Sequence, residues 1–339
     1  MAGAGLWATL PAGATAKASG VKVATKVPSG TTLRVADQFE GTQLPLQLSG
    51  QLTKLPFTVQ WSEFVGGPGV IQALEANAVD LGVLGDVPLV YPQASGNDLV
   101  AVAATQSSGK TSGIVSAPGE DLTSVGQLKG KKVAYTASTA PQGFLYSALQ
   151  KAGVKGVTLI DIATQSDVTS ALESDSVDAA ALTYPLISNY LVANPTAHLV
   201  ERSNLNIVSG YSYFVTTKAV LADPAKAAAI GQFLKGFVTA NAWRNAHPAQ
   251  WVTAYYIGEE KLPPDVAQAT NTLNGSTAFV PITAAVIAKQ QRVADLLAAN
   301  KAIPEKVDAS AEFDNRFNGI IRQALASLAP APTSGGAGA

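Results

Sequence analysis

WSEFVGGPGVIQALEANAVDLGVLGDVPLVYPQASGNDLVAVAAT, residues 61–105, decides the fold of this chain. Its pattern predicts a strand, a glycine loop, a helix, a strand, a loop, a helix and a strand. The run FTVQW that ends at Trp61 is β-branched and aromatic, and LGVLG at 81–85 is as apolar as a strand buried on both faces. Ligands bind at the carboxyl ends of strands in open α/β sheets. The loops GGPG at 66–69 and GDVP at 85–88 are therefore predicted to border a binding site.

Four motifs carry a resemblance to a known family. They are the stretch FVGGPGVIQALEANAVDLGVLGDVPLVYPQASGNDLVAV, TLRVADQ near the start, VGQLKGKKVAY in the middle, and QQRVADLLAANKAIPEKVD near the end. Together they span Leu33 to Asp308, and the chain resembles periplasmic binding proteins for aliphatic sulfonates. Those proteins serve ABC importers in sulfur uptake and are grouped with binders of taurine, nitrate and thiamine precursors. The resemblance implies an exported, periplasmic or otherwise extracytoplasmic monomer that captures a small organic anion and delivers it to a membrane permease.

The resemblance also implies a two-lobed α/β fold, the type II periplasmic-binding-protein fold. The alternation of strand and helix patterns predicts a mostly parallel sheet flanked by helices in each lobe. We place the two crossings between lobes near Ser112–Ser116 and Tyr211–Thr216. Lobe one then comprises 31–112 and 216–328, and lobe two comprises 113–215. Residues 1–30 are interpreted either as a signal-peptide remnant or as a flexible N-terminus, and 329–339 as a disordered tail.

An internal repeat supports the two lobes. ALEANAVDLGVLGDVP at Ala73–Pro88 matches ALESDSVDAAALTYP at Ala171–Pro185. In both, Ala-Leu-Glu is predicted to end a helix, Val-Asp to start a strand, and the proline to open the next helix. Such self-similarity indicates two units of related architecture.

Composition excludes several classes of function. The formal net charge of this 339-residue chain is −1, so neither nucleic acid nor an acidic membrane surface is an expected partner. There are no cysteines, which removes disulfides, thiolate catalysis and a lipobox anchor. With two histidines, a zinc site is not expected. No run reaches the roughly 18 apolar residues of a membrane span. We therefore expect no catalytic residue, no metal and no cofactor.

The loop at 136–143 is the first candidate for ligand contact. Ser138, Thr139 and Gln142 supply neutral donors, and Pro141 suits the first turn of a helix whose free amides suit an oxyanion. The alternative is that Ser138 or Thr139 simply caps the helix.

The glycine loop is the second candidate. Gly66, Gly67 and Gly69 allow a ligand to approach the backbone, or else form a tight turn for packing. Neither loop contains Lys or Arg, so neutral donors are predicted to hold the anion. Asp86 is interpreted as a helix cap more readily than as a ligand group, because its carboxylate would repel an anion that lacks an amine.

Three further residues complete the predicted site. Gln38 matches a glutamine in the first loop of the similar proteins, so its ligand role is implied by the resemblance alone. Tyr184 and Tyr213 are predicted to line the cleft, although most such aromatic residues are core residues.

Two other functions stay open. One is an enzyme on the same two-lobed fold, which the absence of cysteine and the scarcity of histidine weaken. The other is a binder of a thiamine-precursor-like heterocycle, which carboxylates and stacked aromatic residues in the cleft would favour.

Overall fold

The computed structural model describes residues 23–107, 110–200 and 210–328. The predictions for the first 22 residues and for the tail at 329–339 lie outside these residues. Residues 23–30 have no regular secondary structure, yet Val27 is buried against the first sheet and Val23 packs beside it. This described part of the N-terminal segment is therefore packed against the core.

Strands and helices alternate in the first two thirds of the described chain, and helices dominate the last third. The strands are β1 (Thr32–Gln38), β2 (Thr58–Phe64), β3 (Gly82–Gly85), β4 (Leu99–Ser107), β5 (Ser112–Ser116), β6 (Lys132–Tyr135), β7 (Thr158–Asp161), β8 (Ala179–Thr183), β9 (Tyr211–Thr217) and β10 (Thr277–Val280). The helices are α1 (Gln43–Leu48), α2 (Gly67–Glu75), α3 (Asp86–Ala94), α4 (Ala140–Ala152), α5 (Gln165–Glu173), α6 (Leu186–Ala193), α7 (Lys218–Ala222), α8 (Pro224–Ala246), α9 (Pro248–Trp251), α10 (Pro264–Asn274), α11 (Ala284–Ala299) and α12 (Asn318–Leu328). A π-helix, Val252–Glu259, follows α9 directly.

The strands form two sheet groups. In the second group the order is β5-β8-β6-β7, with β6 parallel to both β7 and β8 and with β5 antiparallel at the edge. The prediction of a mostly parallel sheet is confirmed for this group.

The first sheet group is mixed, which corrects the prediction of a mostly parallel sheet in each lobe. β1 and β2 are parallel, and a parallel bridge from Val35 to Leu81 joins β1 to the start of β3. The rest, β10-β4-β9-β3, is antiparallel throughout. β9 returns from the second group and inserts between β3 and β4 in the opposite direction. β10 was not predicted, because four residues carry too short a pattern to stand out beside long helices.

The chain passes from the first group to the second between β4 and β5, and it returns with β9. Both segments predicted as crossings are strands: Ser112–Ser116 is β5 of the second sheet, and Tyr211–Thr216 lies within β9 of the first. The division into lobes at 112/113 and 215/216 stays a prediction.

Two hydrophobic clusters cover the two faces of the first sheet. On one face α8 and α12 pack over an aromatic group in which Phe214 contacts Phe233, Phe237 and Phe279 at centroid distances of 5.2–6.4 Å. On the other face α2 and α11 pack over Leu84, Ala101 and Val215. Burying a large apolar side chain stabilises by about 1.5–3 kcal/mol, so this core makes the sheet a rigid platform for its loops.

The long helix α8 runs from Pro224 to Ala246. Proline occupies the first turn, where no amide partner is lost. Asp223 caps the helix by accepting hydrogen bonds from the amides of Ala225 and Lys226. The helix carries Arg244 and Asn245 to the border between the two sheet groups. No helix in the described ranges is both long enough and apolar enough to cross a bilayer.

The two sheet groups touch on both sides of the crossing strands. On one side Tyr91 of α3 donates a hydrogen bond to Gln142 of α4 at 2.8 Å. On the other side the hydroxyls of Ser188 in α6 and Thr270 in α10 are 2.7 Å apart and buried. Loops from both groups therefore face one another across a narrow gap.

Candidate functional site

The N-terminus of α2 is built from glycine for two different physical reasons. Gly66, at the N-cap position, has φ +88° and ψ 168°, a conformation that residues with a Cβ atom rarely adopt. Gly67 is close-packed: a Cβ atom there would lie 2.8 Å from Cβ of Pro88 and 3.4 Å from the carbonyl oxygen of Ser138. A Cβ atom on Gly69 would lie 3.1 Å from the ring of Phe64. No side chain caps the helix, so its first amides are left for another partner.

The N-terminus of α4 meets that of α2 from the second sheet group. Its N-cap is Thr139, but no side chain caps the helix, so the capping expected of Ser138 or Thr139 is wrong. The Thr139 hydroxyl donates instead to the carbonyl of Thr136 at 2.6 Å. The backbone of Ser138 is left-handed, with φ +58°.

Two hydroxyls in this loop have no partner. Oγ of Ser138 and Oγ1 of Thr136 are buried and form no hydrogen bond. Buried polar atoms are nearly always satisfied, so each such exception indicates a function or a missing partner. A strained serine beside two uncapped helix ends is typical of a ligand site.

Gln142 has a different environment from the one predicted. Its side chain is 1% exposed and accepts hydrogen bonds from the Tyr91 hydroxyl and from the amide of Ser138, at 2.8 and 3.0 Å. Its amide nitrogen donates to the Tyr146 hydroxyl at 3.2 Å. Gln142 therefore joins the two sheet groups and orients the loop. Its predicted direct contact with an anion stays a prediction.

Gln38 lies at the end of β1, and its side-chain amide nitrogen donates a hydrogen bond to the backbone carbonyl of Val83 at 2.6 Å. The preceding residue, Asp37, is buried and accepts hydrogen bonds from the amides of Thr42 and Gln43. Burial raises the pKa of Asp37, against the effect of these amides. The carboxylate thus fixes the first loop, and the glutamine is held against β3.

Asp86 is the first residue of α3, whereas the N-cap residue is Gly85, and no side chain caps the helix. The predicted capping role of Asp86 is therefore wrong. The Asp86 carboxylate is buried and accepts a hydrogen bond from the amide of Val87 at 2.9 Å. Burial raises the pKa of Asp86 to about 6. This lessens the charge that the carboxyl would present to an anion at mildly acidic pH.

Two cavities of about 390 Å³ each lie between the sheet groups, on opposite faces of the crossing strands. We call the first the arginine cavity. The residues around it include Gly41, Thr105, Tyr184, Ser212, Arg244, Trp251 and Tyr255. We call the second the aspartate cavity. The residues around it include Asp86, Gln106, Gly143, Tyr213, Lys289 and Arg292.

The two predicted tyrosines lie at different cavities. Tyr184 lines the arginine cavity, whereas Tyr213 lines the aspartate cavity. Tyr213 is fully buried, stacks on Tyr211 and meets Phe313 edge-on. The Tyr213 hydroxyl is buried and forms no hydrogen bond, so its predicted ligand contact stays a prediction. Tyr184 borders the cavity that Arg244 lines.

The sequence analysis did not identify Arg244 or the aromatic residues beside it. They lie on α8, α9 and the π-helix, more than 90 residues along the chain from the loop at 136–143. No local motif marks them. Among the residues that the structure describes, no group of three or more His, Asp or Glu side chains is placed to hold a metal.

Comparison with known proteins gives consistent relatives. Residues 59–250 match the model of the family described as NMT1/THI5 like. A protein of Escherichia coli (strain K12) that is named for binding aliphatic sulfonates is 30% identical over 288 residues, which cover 83% of this chain and 88% of that protein. A protein of Bacillus subtilis (strain 168) with the same name is 30% identical over 271 residues, covering 79% of this chain and 78% of that protein.

Among solved structures, the alkanesulfonate-binding protein SsuA from Xanthomonas axonopodis pv. citri, bound to MOPS, is similar with a TM-score of 0.75 and 25% identity. The match covers 84% of this chain and 99% of that one. The two-lobed periplasmic-binding-protein fold that the sequence predicts is thereby confirmed.

Proposed function

This chain belongs to the NMT1/THI5-like family, and we propose that it is the substrate-binding component of an ABC importer that captures a small organic sulfonate. Its relatives are binding proteins, which favours capture without chemical change. It acts outside the cytoplasm as a monomer and hands its ligand to a membrane permease.

One observation carries the proposal. Two uncapped helix N-termini from different sheet groups meet where Gly67 approaches the carbonyl of Ser138. The unpartnered hydroxyls of Ser138 and Thr136 lie in the same loop. Backbone amides at a helix N-terminus and free hydroxyls are donors that suit the three oxygens of a sulfonate.

Neutral donors suit this role for an energetic reason. A closed gap excludes water, so hydrogen bonds to a charged oxygen are stronger there than in solvent. Neutral donors also avoid a buried, unpaired cation at the helix ends when the site is empty. Each hydrogen bond to a charged group contributes about 1.5–3 kcal/mol.

Entry of the ligand requires the two groups to separate, because Gly67 and Ser138 are already close-packed. The chain crosses between the groups at the end of β4, the start of β5 and the strand β9, and these strands are the proposed hinge. Small-angle scattering should show a smaller radius of gyration with saturating propane-1-sulfonate than without it. An unchanged radius would contradict hinge closure.

The test of the function is calorimetric titration with propane-1-sulfonate, nitrate and a thiamine-precursor pyrimidine. The parent should bind the sulfonate, and Ser138→Ala should weaken binding about tenfold to a hundredfold. Ser170→Ala is the matched control, because this exposed serine on α5 bonds only within its own helix. Binding of the pyrimidine but not of the sulfonate would support the heterocycle alternative and overturn the proposal.

The enzyme alternative is tested separately. Mass spectrometry of the sulfonate after long incubation with the protein should show an unchanged compound. Catalytic release of sulfite would contradict a pure transport role.

A further inference from the structure

Arg244 stands apart from the other half-buried arginines of the described chain. Arg34 pairs with Asp80 at 2.6 Å and Arg316 pairs with Asp314 at 2.6 Å. Arg244 forms neither an ion pair nor a hydrogen bond with any described residue, although it lines the arginine cavity. A partly desolvated cation without a partner costs free energy, so its retention needs an explanation.

The surroundings of Arg244 are aromatic. Its guanidinium carbon lies 5.5 Å from the centre of the Trp251 ring, and Trp251 stacks on Tyr255 at 4.5 Å. Tyr255 belongs to the π-helix Val252–Glu259, a rare conformation that is frequent at functional sites. Burial lowers the pKa of Arg244, against the influence of the nearby tyrosines. The ring of Trp251 orients the cation but cannot neutralise it.

A second polar atom without a partner lies at the same cavity. Oδ1 of Asn274 is buried and accepts no hydrogen bond, while its amide nitrogen donates to the Tyr256 hydroxyl at 2.8 Å. Asn274 and Arg244 both line the cavity. The cavity therefore presents a cation that suits an anionic group, an unused acceptor that suits an N–H or O–H of a ligand, and aromatic walls.

The arginine cavity lies next to the start of α4 through the strand pair β3–β9. A Cβ atom on Gly85 would lie 3.7 Å from Cβ of Ala140 in α4, and Gly85 pairs with Ser212 of β9, which lines the cavity. Gly41, whose amide donates to the carbonyl of Gln38 at 3.0 Å, lines it from the first loop. Tyr184 and Pro185 line it from the second sheet group. Its volume of about 390 Å³ is in the range of small-molecule sites, so it has room for more than one sulfonate group.

We propose that the arginine cavity binds a second oxyanion of the same ligand, so that the preferred substrates are sulfonates that also carry a carboxylate. The inference rests on the proposed function, in which the sulfonate lies at the N-termini of α2 and α4. A carboxylate fits the planar guanidinium of Arg244 with two parallel hydrogen bonds. It also supplies the partner that the cation lacks.

A matched ligand pair tests the inference. Propane-1-sulfonate and 3-sulfopropanoate share a sulfonate and a three-carbon skeleton, and only the second carries a carboxylate. In calorimetric titrations the parent should bind 3-sulfopropanoate at least about tenfold more tightly. Arg244→Met keeps the apolar stem and removes the charge, so it should abolish this preference and leave the affinity for propane-1-sulfonate within about twofold.

The control is Arg292→Met, which removes an exposed arginine from the aspartate cavity and should change neither affinity. The melting temperature of ligand-free Arg244→Met should equal or exceed that of the parent, because the variant loses an unpaired cation.

Three results would overturn the inference. If the parent binds the two sulfonates equally, the cavity takes no second anion, while the proposed function stands. If Arg244→Met weakens both ligands alike, Arg244 holds the sulfonate itself. If Arg292→Met removes the preference, the carboxylate lies in the aspartate cavity. Failure of both ligands to bind the parent would instead contradict the proposed function.

Discussion

The segments Ala73–Pro88 and Ala171–Pro185 share their beginning and differ at their end. In each, a helix ends at the glutamate of Ala-Leu-Glu, and the residue two positions later is left-handed: Asn77 with φ 52° and Asp175 with φ 53°. In each, the next amide bonds back to the alanine carbonyl, at 2.8 Å for Ala78 and 3.0 Å for Ser176. The predicted internal repeat is therefore a repeated helix-to-strand turn.

The aspartates that follow the turns extend the likeness. Asp80 accepts the amide of Arg34 at 2.8 Å and Asp178 accepts the amide of Lys132 at 2.6 Å. Their environments differ, however. Asp80 is 1% exposed and pairs with Arg34 and Lys226, whereas Asp178 is 28% exposed and pairs with Lys131.

The segments part at the carboxyl ends of their strands. The first continues through Gly85 into Asp86 at the start of α3, and the second continues through Tyr184 and Pro185 into α6. The amino ends of the strands thus keep a common scaffold, while the ends that face the gap are specialised. The two halves therefore share the turn that leads into the strand and differ in the residues that border the gap.

The largest expected effect is at the first aspartate. Desolvation opposes the charge of Asp80, but hydrogen bonds from Arg34 and Lys226 outweigh it and hold its pKa below the usual value. Asp80→Asn should lower the free energy of unfolding by about 3–5 kcal/mol at pH 7, because two cations lose their buried partner. Because the folded-state pKa is depressed, this contribution is lost as the pH falls below about 4. Urea denaturation at pH 7 and pH 3 measures both effects.

The matched variant for that prediction is Asp178→Asn, which breaks a half-exposed cluster and should cost clearly less at pH 7. If the two variants lose equal free energy of unfolding, the deeper burial of Asp80 makes its ion pairs no more stabilising than those of Asp178.

The second effect lies where the segments part. Burial raises the pKa of Asp86 to about 6 in the folded protein. A carboxyl with a raised folded-state pKa is destabilising once it ionises, so the parent should lose stability as the pH rises from about 4 to 6. Asp86→Asn cannot ionise and should therefore be more stable than the parent by up to about 3 kcal/mol at pH 8, with no gain at pH 4. Denaturation curves at both pH values check this. A gain in stability that is independent of pH would show that ionisation of Asp86 does not destabilise the parent.

The third effect concerns the helices that lead into the two turns. Thr164 caps α5 by accepting the amide of Asp167 at 3.1 Å, whereas α2 begins at Gly66 without a side-chain cap. Thr164→Ala should lower the free energy of unfolding by about 1 kcal/mol. Its affinity for propane-1-sulfonate should stay that of the parent, since the amides of α5 are not part of the proposed site. Weaker binding by this variant would place α5 at the ligand. The capped helix α5 and the uncapped helix α2 would then not differ in their role in binding.

Prediction from sequence succeeded where the decisive interactions are local. The helix ends at Glu75 and Glu173 and the glycine loop at 66–69 are each specified within a short stretch of chain. The α/β class follows from the order of such stretches, and the binding-protein family from the resemblance of the four motifs.

What could not be predicted depends on partners distant in the chain. Gln142 is held by Tyr91, 51 positions away, and that contact turns a free donor into a link between sheet groups. The antiparallel course of β9 is set by where the chain returns. Arg244 comes to the gap at the end of a long helix, and its lack of a partner is visible only in three dimensions.

The smallest expected effect tests the shared turn itself. A left-handed conformation costs an ordinary residue about 1–2 kcal/mol, less for Asn and Asp, and glycine adopts it freely but loses more entropy on folding. Asp175→Gly should therefore raise the free energy of unfolding by about 0.5 kcal/mol. Asn77→Gly should not raise it, because the Asn77 side chain accepts a hydrogen bond from the guanidinium of Arg34 at 3.1 Å, which glycine cannot replace.

The two glycine variants are compared by melting temperature, with Asn77→Ala and Asp175→Ala as references. Both alanine variants should be less stable than the parent, because alanine keeps the strain of the left-handed conformation. If Asn77→Gly is stabilised as much as Asp175→Gly, the Arg34 contact contributes nothing and the two turns are energetically equivalent.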